Sequence, residues 1–182
     1  MALAALQKSP DLLSCTPESI RSSIISAAQL GLELGSFNSG WLIKYGNQCT
    51  LQLGFNGLLE LAKRSGEVAA TSVEVVYEKD QFSYGFDPDP WLNHQPKKFG
   101  QRGDVKGAWC CLKLTNGERQ IEVMTVDEIE HIRAKAKSSS GPWKTDWTEM
   151  ARKTVLKRAL KKVTLSPQHK YLVQRSDDAE FQ

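Results

Sequence analysis

Apolar residues along the chain recur first at helical and then at strand spacing. After Thr16, which can cap a helix, and Pro17, which suits the first helical position, Ile20, Ile24, Ala27 and Ala28 share one helical face that stops at Gly31. The stretch GWLIKYGNQCTLQLG then switches to alternation and reads as two strands about a Gly46-Asn47 turn. A two-residue turn puts Trp41, Ile43 and Tyr45 on one face with Gln48, Thr50 and Gln52, and Leu42, Cys49, Leu51 and Leu53 on the other. The second set predicts a core face. The first predicts an outer face mixing aromatic and amide groups.

FNGLLELAKRSG predicts a helix with Leu58, Leu59 and Leu61 inward and a stop at Gly66. From Val68 to Met124 the pattern is that of strands: SVEVVYE, DQFSYGF, a DPDP turn, WLNHQ, then VKGAWCCLKL and RQIEVM about Thr115-Asn116-Gly117. Thr125 and Glu128 have capping-box spacing before VDEIEHIRAKAK. The loop SSSGPWKTDW leads to a last helix from about Trp147 to Val163, which Asp146 and Glu149 are spaced to cap in the same way. This order predicts an α+β fold: an antiparallel β-sheet with hairpins, its helices packed on one side. Residues 1–175 read as a single core domain and residues 176–182, within SDDAEFQ, as an acidic disordered tail.

Composition places the chain among soluble globular proteins, with 40% apolar and 25% charged residues. It has neither the apolar run of a membrane span nor a secretory leader pattern, so a cytoplasmic protein without a membrane partner is expected. Cys15, Cys49, Cys110 and Cys111 lack metal-ligand spacing and read as reduced, packed thiols.

Charge changes the picture more by placement than by total. The net charge is +3, yet half of the 24 basic residues lie between Arg133 and Arg175, against Asp146 and Glu149 alone. In TEMARKTVLKRALKKV, Ala151, Val155, Leu156, Ala159, Leu160 and Val163 form an apolar face, with Lys153, Lys157 and Lys161 in a row on the opposite side, flanked by Arg158 and Lys162. No acid follows the first turn of that helix, so its basic face predicts a polyanion partner. Arg152 falls within the apolar stripe, where it either meets a buried carboxylate or reaches a neighbouring subunit. Trp143, Trp41, Tyr45 and Phe55 sit beside lysines or amides, where a base can stack.

Other chemistries fit less well. A phosphate-binding loop needs glycine where Trp143 stands and an amide where Pro142 has none, although Lys144-Thr145 precede a helix. Asp87 and Asp89, with His94 nearby, could make a metal-dependent nuclease site, but Asp-Pro pairs also simply fix a turn. His94, His131 and His169 are scattered, and no Gly-x-Ser-x-Gly nucleophile motif is present. No catalytic residue, metal or cofactor is expected.

At these same residues the sequence resembles the RecT-type (RecT/Red-beta) phage single-strand annealing recombinases. GWLIKYGNQCTLQLGFNGLLELAKRSGEV is similar to a family stretch in which a strand ending Tyr-Gly leads to Gln-Leu-Gln-x-Gly-(Tyr/Phe)-x-Gly-Leu and a helix ending Arg-Ser-Gly. SSSGPWKTDWTEMARKTVLKRALK resembles its Ser-Gly-Pro-Trp and basic-helix signature, with Arg152-Lys153-Thr154 where many members have Lys-Lys-Thr. The resemblance implies a homo-oligomer, ring or filament, that binds single-stranded DNA and pairs complementary strands into duplex without ATP. It implies a 5′ to 3′ exonuclease and a host single-stranded-DNA-binding protein as partners, in a bacterial cytoplasm. It places DNA contacts at Lys44, Tyr45, Gln52 and Asn56 and at Lys144, Lys153, Lys157, Arg158 and Lys161, to which the aromatic reading adds Trp143. A single-strand protector that does not anneal is the competing reading.

Overall fold

The computed structural model describes residues 9–35, 39–136 and 141–163, and their contacts fall into two compact units that meet in sequence at Ala62 and Lys63. The predicted acidic tail lies outside the described residues.

In the first unit a short 3-10 turn, Pro10–Ser14, precedes helix α1, Pro17–Gln29, whose first turn is closed by the Thr16 hydroxyl accepting from the Ser19 amide at 3.4 Å. Strands β1, Gly40–Tyr45, and β2, Gln48–Leu53, pair about Gly46-Asn47 in the predicted register, with Trp41 opposite Gln52, Ile43 opposite Thr50 and Tyr45 opposite Gln48. The turn requires φ of 59° at Gly46, which glycine tolerates. Leu42 and Cys49 bury their side chains with Leu12 and Cys15, and Ile20 and Ile24 of α1 pack against them. Two serines lock the helix to the hairpin: Ser19 Oγ accepts from the Cys49 amide at 3.0 Å and Ser23 Oγ donates to the Cys49 carbonyl at 2.9 Å. Helix α2, Phe55–Arg64, begins where the Gly54 amide donates to the Ser39 carbonyl at 3.0 Å, and a β-carbon on Gly57 would run into that same carbonyl.

The second unit is built on a three-stranded antiparallel sheet of β3, Val68–Tyr77, β6, Val105–Leu114, and β7, Arg119–Thr125, with β6 in the middle. Ala108, Cys110 and Leu112 of β6, with Val75 and Met124 beside them, form the buried face. Helix α3, Val126–Arg133, opens with the predicted capping box, and α4, Pro142–Thr145, is a single turn where a loop was expected. Helix α5, Trp147–Lys162, packs along β6 and touches both neighbouring strands, while its Arg158 and Trp147 hold Glu128 and Glu130 of α3 at 3.2 and 2.6 Å. The helices thus gather on one side, as α+β patterning predicts. Asp146 does not cap α5; its carboxylate accepts from the Thr145 hydroxyl at 2.6 Å instead.

Strands β4, Gln81–Gly85, and β5, Trp91–Gln95, form a separate hairpin tied to the sheet through Trp109, whose indole donates to His94 Nδ1 at 3.0 Å. By alternation Trp109 faces away from Ala108 and Cys110, so this hairpin lies on the face opposite the helices. Because Nδ1 accepts, His94 Nε2 carries the hydrogen that points at Asp80, 3.2 Å away. Asp80 also accepts from the amides of Tyr77 and Lys97 at 2.9 and 3.0 Å and from the Arg102 guanidinium. Those donors, Arg102 first, hold its carboxyl well below the usual carboxylate range despite burial.

Candidate nucleic-acid interface

The ten predicted contact residues fall into two groups, one in each unit. In the first, Tyr45 and Gln52 share the outer face of the β1–β2 hairpin, and Trp41, the partner of Gln52, is 41% exposed on it. Trp41, Ile43 and Tyr45 run as a strip beside Gln52, Thr50 and Gln48, so two aromatic rings and an aliphatic side chain lie alongside groups that donate and accept hydrogen bonds. Lys44 points to the opposite face, opposite Cys49, and reaches over the hairpin end to donate to Ser14 Oγ at 2.6 Å. Asn56 is exposed in the first turn of α2. An aromatic and amide face of this kind can stack bases and hydrogen-bond their edges, and a strand crossing the hairpin end would meet Lys44 from the other face.

In the second unit the structure corrects the expectation of one solvent-facing basic row. Lys161 is exposed, but Lys153 and Lys157 are buried, at 8% and 6% exposure. Ammonium groups are buried only where they are hydrogen-bonded or paired, so these two are part of the packing of α5 as well as of its charge. Arg158 is not a bare cation either: Nε lies 2.8 Å from Glu122 Oε1 and Nη1 lies 3.2 Å from Glu128 Oε1. Lys162 reaches the other oxygen of Glu122. The acids missing from the helix's own sequence are supplied by β7 and α3.

Arg152, left open between two partners, binds Glu149 one turn earlier at 2.6 Å and Glu74 of β3 at 3.1 Å. Both carboxylates are about half exposed, so neither is the buried acid that was one of the alternatives. Trp143 is likewise not a stacking platform on the surface: it is 4% exposed, and its indole nitrogen has no acceptor among the described residues. Lys144, next to it, is exposed.

Patterning singled out Glu128 only as a helix cap, not as a partner of Arg158, and did not single out Glu122 at all. A signal for Glu122 was present. In RQIEVM both alternating faces carry apolar residues, Ile121 and Val123 on one and Met124 on the other, so a carboxylate there is buried and demands a cation. Glu128 is drawn below its ordinary value, first by the Thr125 amide of the capping box and then by Arg158.

Asp87 and Asp89 are exposed at the tip of the β4–β5 hairpin, whereas His94 has both ring nitrogens engaged by Asp80 and Trp109. Among the described residues no group of three or more His, Cys, Asp or Glu side chains could hold a metal, and no helix is long and apolar enough to cross a membrane.

The sequence matches the RecT family over residues 1–178. It is 36% identical to Protein RecT of Escherichia coli (strain K12) over 176 residues, which cover 91% of this chain and 65% of that protein. It is 30% identical to the uncharacterized protein YqaK of Bacillus subtilis (strain 168) over 165 residues, 88% of this chain and 57% of that protein. The chain therefore spans under two thirds of the length of these relatives. A family match that takes in the aromatic hairpin, the Gly57 close approach and the whole of α5 leaves one conclusion: the chain belongs to the RecT family.

Proposed function

We propose that this chain binds single-stranded DNA and anneals complementary strands without ATP, acting as an oligomer in phage-type homologous recombination. The observation that carries the reading is the family match across residues 1–178, which includes both groups of predicted contacts. Annealing needs no catalytic group. Cations lower the repulsion between two phosphate backbones, aromatic and amide side chains hold one strand with its base edges outward, and Watson-Crick pairing supplies the free energy. On this reading Tyr45, Gln52 and Asn56, with Lys44 beside them, contact DNA from the first unit. Lys144 and Lys161 contribute from the second, while Lys153, Lys157, Arg158 and Trp143 shape the element that presents them. The annealed duplex, a 5′ to 3′ exonuclease and a host single-stranded-DNA-binding protein are the partners the reading implies.

The test is to mix two complementary fluorescent oligonucleotides with the protein and no nucleotide triphosphate. Annealing faster than the protein-free rate supports the reading, and a slowed rate with tight binding makes the chain a protector instead. Labelled DNA that shortens during incubation with magnesium or manganese would replace both with a nuclease.

A further inference from the structure

The β4–β5 hairpin is polarised from end to end. Its tip carries Asp87 and Asp89, both exposed, and no basic residue. Two rings frame these carboxylates, Phe86 at 57% and Trp91 at 45% exposure. Neither is loose: Phe86 stands edge-on to Tyr84 with ring centres 5.6 Å apart, and the Trp91 indole lies so close over Gly85 that a β-carbon there would sit 2.5 Å from its nitrogen. Two packed aromatic rings thus turn apolar surface outward.

The base carries the opposite sign. Asp80 and Arg102 neutralise each other, and Lys106 is set against Glu78 at 4.0 Å. Lys79, Lys97 and Lys98 remain exposed there, with Asp104 as the other exposed acid. Beside Lys98, Phe99 is 85% exposed, on a loop closed by the Lys97 amide and the Arg102 guanidinium both bonding to Asp80. The five cross-strand pairs from Gln81–Gln95 to Gly85–Trp91 separate the two ends by about 14 Å at the rise of a strand.

Each end therefore offers aromatic surface with a charge that the other end complements. A DNA strand laid along the hairpin would meet Asp87 and Asp89 at the tip. Tip against tip, or base against base, would oppose like charges, so only tip against base satisfies both. We infer that the β4–β5 hairpin makes a head-to-tail contact with a second copy of this chain, the tip at Phe86, Asp87, Asp89 and Trp91 docking on Lys97, Lys98 and Phe99 of its neighbour. Such a contact is heterologous and propagates in one direction, closing into a ring or extending as a filament according to the rotation per step. It gives a physical route to the oligomer in the proposed function, on which it rests for that oligomeric character.

Sedimentation velocity of the 182-residue chain at low salt, alone and with oligothymidylate, tests it using two charge reversals. The Asp87→Lys/Asp89→Lys chain and the Lys97→Glu/Lys98→Glu chain should each lose the large species formed by the wild type. An equimolar mixture of the two should recover it, as should a chain carrying all four changes. The contact is overturned if either reversal keeps the wild-type size distribution, if the mixture recovers nothing, or if the wild type is monomeric under both conditions. If the lysine reversal weakens oligothymidylate binding while assembly is unchanged, the loop is a nucleic-acid contact and the inference fails. The annealing rate is read separately: annealing by a monomeric wild type sinks this contact alone, and assembly without annealing sinks the function alone.

Discussion

Arg158 Nε lies 2.8 Å from Oε1 of Glu122, a side chain only 4% exposed on the helix side of the sheet. Lys162 closes on the second oxygen. The partners are unequal, because both cations keep about half their surface in water while the carboxylate has almost none. Removing the cations, in Arg158→Ala/Lys162→Ala, should therefore cost about 3–5 kcal/mol by leaving a buried charge unpaired. Glu122→Gln should cost clearly less, since the freed cations rehydrate. Urea denaturation of both variants measures the difference, and equal losses would contradict it.

Acid should loosen the β4–β5 hairpin through Asp80. Its folded-state pKa is depressed, chiefly by Arg102, so its stabilisation is full above the ordinary aspartate value and is lost as pH falls from there toward the folded-state value. The window opens below about pH 4. Asp80→Asn should lower stability at neutral pH by about 3 kcal/mol and flatten the acid limb of a melting temperature against pH curve. An unchanged acid limb would remove Asp80 from the account.

Gly57→Ala should destabilise the first unit even though alanine favours helix over glycine by about 1 kcal/mol. The added β-carbon meets the Ser39 carbonyl, which is backbone and already accepts from the Gly54 amide. A net loss of about 1–3 kcal/mol is expected for such overpacking. Faster hydrogen exchange at Gly54 and a lowered urea midpoint would register it.

DNA affinity should separate from stability at exposed positions. Trp41→Ala should weaken single-strand binding by about 1–3 kcal/mol with little change in melting, as should Lys144→Glu and Lys161→Glu, whose effect should shrink as salt rises. Lys153→Glu and Lys157→Glu should instead lower stability, because these side chains are buried. Equal binding losses at Trp41 and a control exposed residue such as Ile25 would discount the hairpin face.

What the sequence disclosed and what it withheld follow one physical divide. The Gly46-Asn47 register, the Thr16 cap and the Thr125/Glu128 capping box are local, set by turn geometry and neighbours within four residues, and all three are found as read. The ion pairs of Arg158 with Glu122 and Glu128 join residues 36 and 30 positions apart, so a helix that looked unpaired within its own sequence is paired in space. Burial of Trp143, Lys153 and Lys157 escaped notice for the same reason. Periodicity tells which residues share a face but not what covers it.

The Trp109 indole bonded to His94 also makes the molecule self-reporting. Its N–H, engaged by an imidazole nitrogen 3.0 Å away, should give a downfield-shifted indole resonance in a proton–nitrogen spectrum. In nitrogen-15-enriched protein that indole peak would follow the docking of the hairpin on its sheet without any attached probe, during titration, heating or assembly.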